Sequence, residues 1–156
     1  LGLHPGHTST IRRIEGGMLS YHSDMDINTN PFELGLDKFI DLEKSFDFVG
    51  KDALIKIKKL GIQRKQVGLI IECEKLKGPN TKKWSIFKNQ QRIGQVTSAV
   101  YSPRLEQNIA LAMVDIEYSD INTSLKIKID DNLVDAKITV KPFFDPNKLI
   151  AKKSSI

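Results

Sequence analysis

Along this chain the spacing of apolar residues changes once, near residue 64, from a helical period to a strand period. In residues 8 to 17, Thr8, Ser9 and Thr10 offer hydroxyl N-caps, Ile11 and Ile14 stand three apart, and Gly16-Gly17 stops the pattern, which predicts a short helix. Leu19 to Pro31 is mainly polar, with Asp24, Asp26, Asn28, Thr29 and Asn30, and predicts an exposed loop; Pro31 holds Asn30 out of the α region. Phe32 to Leu42 alternates through Phe32, Leu34 and Leu36 and then Phe39, as a strand entering a turn would. Gly50 to Leu60 carries the clearest helical signal. Ala53, Leu54, Ile57 and Leu60 form one stripe, Asp52 lies in the first turn, lysines fill the last turns and Gly61 follows as C-cap.

Past Arg64 the period is 2 and stays there. Strands are expected at Val67 to Glu72, Trp84 to Lys88, Arg92 to Val100, Ile109 to Val114, Leu125 to Ile129 and Val134 to Val140. The last two alternate cleanly, with Leu125, Ile127 and Ile129 set against Lys126 and Lys128, and Asp130-Asp131-Asn132 is a hairpin turn between them. Six short strands separated by turn residues predict a small antiparallel barrel, which closes off exposed edges. The expected fold class is therefore α+β, with residues 1–63 forming one part and a six-stranded antiparallel barrel over 64–156 the other; the tail Lys152 to Ile156 is expected to fray.

Composition narrows the function classes. The 156 residues are 40% hydrophobic and 28% charged, with a net charge of +5, which suits a folded domain rather than a disordered chain. The longest apolar run, Ile109 to Val114, is far short of the ~20 residues that a spanning helix needs, so no membrane partner is expected. A single Cys73 makes no internal disulfide, and Leu1 to Pro5 has neither a basic nor a long apolar segment of the secretory kind, so a cytoplasmic location is expected. The opening on Leu1 without a Met is read as a processed or truncated product.

Local chemistry is sparse. Asp24-x-Asp26-x-Asn28 begins like a calcium loop, but Thr29 and Gly35 stand where Gly and a bidentate Glu are needed, which leaves a solvated polar loop. His4, His7 and His22 lack further ligands at zinc spacing, so no metal is expected. There is no G-x-S-x-G elbow, Gly-rich phosphate loop or H-E-x-x-H. The basic run Lys51, Lys56, Lys58, Lys59, Arg64 and Lys65 lacks the interleaved aromatics of a single-strand binder, so a solvated helix face is favoured over a nucleic-acid partner. Arg13 and Glu15 should make separate contacts, and Tyr101-Ser102-Pro103-Arg104 is a turn, either a plain tight loop or a ligand or domain contact.

Several separated pieces resemble one family in order and spacing. Arg13-Ile14-Glu15-Gly16-Gly17-Met18-Leu19-Ser20-Tyr21, Asn30 to Leu36 and Asp47 to Leu54 are similar to the end of the folate-binding region of the glycine cleavage T-protein (aminomethyltransferase) superfamily. Gly94-Gln95-Val96-Thr97-Ser98, Ser102-Pro103, Asn108 to Val114 and Lys141-Pro142-Phe143 resemble its C-terminal barrel. The resemblance implies the C-terminal part of a tetrahydrofolate-dependent one-carbon transferase, whose partners are a small-molecule methyl or aminomethyl donor and the missing N-terminal part of the same protein. The family's catalytic Asp and pterin-holding Glu lie in that missing part, so no catalytic residue is expected here and the fragment alone should be inactive. The wording at Arg13 to Gly17 and Ser20-Tyr21 looks closer to the dimethylsulfoniopropionate demethylase branch, with glycine-cleavage aminomethyl transfer as the alternative; a non-catalytic folate-binding or nucleic-acid-associated module is a third reading. Three positions carry over as folate contacts. Ser9 replaces the Arg of the family's Ala-Arg-Asp, Met18 matches a residue lining the pterin pocket, and Lys148 matches a late ligand contact able to meet folate carboxylates.

Overall fold

The protein's structure, a computed structural model, describes residues 9–44, 46–147 and 149–150. Six strands form a closed barrel: β1 (Arg64–Glu72), β2 (Trp84–Lys88), β3 (Gln91–Ser102), β4 (Gln107–Asp115), β5 (Ser124–Ile129) and β6 (Asn132–Thr139). All neighbours are antiparallel, in the order β1-β4-β3-β2-β5-β6, and β6 pairs back onto β1. The six expected strands are all present, with ends moved by at most three residues. The two-residue turn Asp130-Asp131 joins β5 to β6, with Asp130 at a positive φ of 52° and Ile129 facing Asn132.

Alternation fills the barrel. Val67, Leu69 and Ile71 of β1, Leu125 and Ile127 of β5, and Ala136 and Ile138 of β6 point inward, joined by Trp84, Ile86, Ile93 and Val96. Ala99, Ala110 and Ala112 supply the small positions that let the walls approach. β4 is different, because every residue from Asn108 to Val114 is buried. Ala110, Ala112 and Val114 face the barrel interior, while Ile109 and Leu111 face outward beneath a second cluster with Ile14 and Val100. An unbroken apolar run is what a strand covered on both faces requires.

The cover comes from the N-terminal segment. Helix α1 (Thr10–Glu15) packs on β3 and β4, with Ile11, Leu19, Leu105 and Phe143 closing around Ile14. It starts after Ser9, one of the three expected N-caps, and stops at Gly16 as expected, although Ser9 makes no side-chain capping bond. Helix α2 (Lys51–Leu60) ends as expected at Gly61, whose amide bonds the Ile57 carbonyl at 2.9 Å with φ at 80°. Its stripe, however, is only partly covered: Leu54 and Ile57 are half-buried, and no residue of α2 is fully buried.

The expected strand at Phe32 to Leu42 is absent. Asn30 Oδ1 accepts the amides of both Phe32 and Glu33 at 3.0 Å, Gly35 turns at φ 69°, and a single 3₁₀ turn follows at Asp37–Phe39. Local side-chain bonding here outcompetes an alternation that has no neighbouring strand to pair with. Among the described residues before Arg64 there is no strand, only an isolated bridge between Tyr21 and Met25.

Candidate functional site

Three buried carboxylates tie the N-terminal segment to the outside of the barrel. Asp24 is the most enclosed. Its Oδ2 accepts from Arg13 Nη1 at 2.8 Å and from the Ser20 amide at 2.9 Å, and its Oδ1 accepts from the Thr97 and Ser98 hydroxyls at 2.6 and 2.7 Å. Arg13 Nη2 also donates to Ser98 Oγ at 2.8 Å, so arginine, serine and carboxylate close a ring. This corrects the reading of Asp24 as part of a solvated loop: its side chain is fully excluded from water, with Arg13 15% exposed above it. A carboxylate is tolerated at such a position only when every lone pair is matched. Asp26, on the next outward turn, stays in solvent, where the Asn28 amide and then the Thr29 hydroxyl hold its carboxyl below the usual range.

Glu15 makes the second tie. Its Oε1 accepts from Ser102 Oγ at 2.6 Å, Oε2 lies 3.8 Å from Arg104, and its backbone carbonyl takes the amides of Phe143 and Phe144 at 2.9 and 3.1 Å. The Arg104 guanidinium in turn stacks 4.1 Å above the Phe144 ring. Arg13 and Glu15 thus make separate contacts, and the turn at Tyr101 to Arg104 is a contact between the two parts of the chain rather than a plain loop. Glu33 makes the third tie, paired with Arg64 at 3.0 Å while its own carbonyl accepts the Gln66 amide at 2.8 Å.

Beside these lies Lys141, whose ammonium donates to Gln66 Oε1. Burial pushes its pKa down to about 8, with the Asp24 charge opposing the fall and Lys65 adding to it. The buried Gln66 Nε2 has no hydrogen-bond partner among the described residues. Phe143 rests on β1 at Gly68, where a Cβ would meet its ring at 3.0 Å. Cys73 stands one residue past β1, and burial, then the Glu74 charge, pushes its thiol up, away from nucleophile behaviour.

The structure sets Ser9 and Met18 at opposite ends of α1, Ser9 half-buried at its start and Met18 54% exposed just past its end. Tyr21, equally exposed, follows in the same loop, its ring edge-on to His22 at 4.5 Å. Lys148, His4 and His7 and the tail from Lys152 lie outside the described residues. A concavity of about 640 Å³ lies elsewhere, along β2, β5 and β6 and lined by Phe87, Lys128 and Leu133; another spans Asp47 to Ala53. Neither includes Ser9 or Met18. Sequence reasoning missed the Asp24 anchor, although Thr97-Ser98, two hydroxyls in succession within a barrel strand, was a sign that one of them serves something other than the core.

A closed six-stranded barrel strapped by an ion-paired N-terminal segment defines an architecture with known relatives. Residues 64–145 match the model of the glycine cleavage T-protein C-terminal barrel domain, and the chain belongs to that family. It is 38% identical over 133 residues to an aminomethyltransferase of Listeria monocytogenes serotype 4b and 40% identical over 140 residues to one of Thermosynechococcus vestitus. These alignments cover 85% and 90% of this chain, but only 36% and 37% of the relatives, so the chain spans little more than a third of their length. The crystal structure of glycine cleavage system aminomethyltransferase T from Bartonella henselae superposes with a TM-score of 0.79 at 23% identity, over 87% of this chain and 38% of that one. Among the described residues no helix is long and apolar enough to cross a membrane.

Proposed function

We propose that this chain is the C-terminal part of a cytoplasmic aminomethyltransferase, which passes a one-carbon unit from an aminomethyl donor to tetrahydrofolate. The observation that carries the reading is the run of relatives named aminomethyltransferase at 36 to 40% identity along 85% or more of the chain. The finer reading, transfer of a methyl group as in the demethylase-like branch, rests on the wording at Arg13 to Gly17 and Ser20-Tyr21 alone, and aminomethyl transfer is the better supported of the two.

In this account residues 1–63 contribute one wall of the folate site and residues 64–156 the barrel that braces it. The residues present fit a wall and not a whole pocket. Met18 offers a polarizable face suited to a flat ring, with Tyr21 exposed beside it, and no described concavity closes over them. Ser9 stands where a cation would hold a folate-side anion, and its hydroxyl supplies a weaker, uncharged contact. Ile27, Phe39, Phe46 and Val49 are exposed on the same segment and suit coverage by the N-terminal part of the enzyme. When bound, tetrahydrofolate supplies the nitrogen that accepts the one-carbon unit; this chain's part is to hold and shield it.

The test uses the full-length protein with tetrahydrofolate and either an aminomethyl-lipoyl carrier or dimethylsulfoniopropionate. Turnover with the carrier alone supports the proposal, and turnover with the sulfonium alone overturns it in favour of the demethylase reading. Steeply salt-dependent RNA binding without folate binding would replace both with a non-catalytic module.

A further inference from the structure

Successive residues of a regular strand point to opposite faces of the sheet. Thr97 and Ser98 do not: their hydroxyls reach the same oxygen, Asp24 Oδ1, at 2.6 and 2.7 Å. The cause is a bulge. Val96 faces Ala112, yet Ser98 already faces Leu111, so one extra residue sits in β3, while Val96 and Ala99 on either side both turn into the barrel core. Bulges re-aim side chains in this way, at a cost in regular pairing.

What the two hydroxyls hold is the segment after α1. Thr97 Oγ1 lies 3.0 Å from the Leu111 carbonyl as well, but its one proton goes to the nearer, charged acceptor. Ser98 accepts from Arg13 and donates to Asp24, which relays the strand's position to both. Asp24 in turn grips the Ser20 amide, and Arg13 reaches the Met18 carbonyl at 3.3 Å while its own carbonyl takes the Met18 amide at 2.8 Å. Between those grips His22 adopts φ 70°, a left-handed conformation that a non-glycine residue keeps only where its surroundings impose it.

We propose that Thr97 and Ser98 are positioning residues for the segment Met18 to Met25: the bulge in β3 sets, through Asp24 and Arg13, where Met18 and Tyr21 stand. Their importance for catalysis rests on the reading of that segment as a folate wall, whereas the positioning itself does not. On this account neither hydroxyl touches substrate.

Amide hydrogen exchange on the full chain tests the positioning. In Thr97→Val with Ser98→Ala, the Ser20 and Asp24 amides should exchange about tenfold faster, as loss of hydrogen bonds to a charged group implies, with β4 amides unchanged. Thr97→Ser and Ser98→Thr should restore wild-type protection. Each single variant carries the same expectation at smaller size, so a double variant that fails to fold leaves the test in place. Unchanged exchange at Ser20 and Asp24, or equal acceleration throughout the barrel, overturns the proposal. In the full-length enzyme the same variants should raise KM for tetrahydrofolate several-fold with kcat little changed. Faster exchange without that rise upholds the positioning and overturns the folate-wall reading instead.

Discussion

Replacing Asp24 with alanine removes one carboxylate and strands several groups at once. Arg13, 15% exposed, loses its only ion-pair partner among the described residues and keeps Ser98 Oγ and the Met18 carbonyl. Thr97 can turn to the Leu111 carbonyl 3.0 Å away, so it is not orphaned; the Ser20 amide is. Breaking a buried ion pair from one side costs about 3 to 5 kcal/mol, and the partial exposure of Arg13 and the fallback of Thr97 place this case near the lower end, at roughly 3 kcal/mol. For a chain of this size that corresponds to a fall in Tm of roughly 10 °C. Urea unfolding followed by the fluorescence of Trp84, which is buried in the barrel, reads the same loss in free energy. Asp41→Ala is the control, because Asp41 meets Lys44 at 4.0 Å with both side chains 52% exposed, and it should cost less than about 1 kcal/mol. Combining Asp24→Ala with Arg13→Ala should cost far less than the two single losses added, by about 2 kcal/mol or more. An Asp24→Ala loss no larger than that of Asp41→Ala, or additive losses with Arg13→Ala, would refute the account of a buried latch.

Lys141 predicts a pH dependence. Its folded pKa of about 8 lies below the ordinary 10.5, so above pH 8 the unfolded chain binds the extra proton and stability should rise between about pH 8 and 10, by no more than about 3 kcal/mol. Denaturation of Lys141→Met across that window should lack the rise; an identical slope in both proteins would contradict the assignment. Gly94→Ala should abolish folding or cost more than about 3 kcal/mol, because a Cβ there drives into the Met113 carbonyl and lies 2.8 Å from Val114 Cα, both backbone atoms of the paired strand; circular dichroism and thermal unfolding check it. Glu15→Gln should cost about 1 to 3 kcal/mol by loosening Ser102 and Arg104, and near-wild-type urea unfolding would show that these contacts hold nothing. Lys126→Ala, which breaks an exposed 2.7 Å pair with Asp135, should cost less than about 1 kcal/mol in the same assay.

The barrel was legible because its evidence is local. In β5 and β6 a two-residue period, a hairpin turn and lysines on the outer face occur within a stretch short enough to read directly, and the structure reproduces them. Helix α2 was legible for the same reason, from its stripe and the glycine at its end. The failure at Phe32 to Leu42 is instructive: its alternation was real, but a strand is a pairing, and Asn30 and Gly35 gave those amides and that backbone another structure.

Periodicity, turn residues and the family motifs thus settled by sequence alone the six strands, the two helices and the family, but not the branch within it. Tertiary structure alone decided which polar residues are buried. Asp24, Glu15 and Glu33 stand in stretches that read as surface, and each meets its barrel partner from far along the chain, Asp24 and Thr97 lying 73 residues apart and Glu15 and Ser102 87. The bulge at Thr97 is likewise invisible until β3 is paired with β4. A local pattern records which face of an element is apolar; whether a charge is hidden depends on what another element brings against it, and that matching leaves no period in either segment.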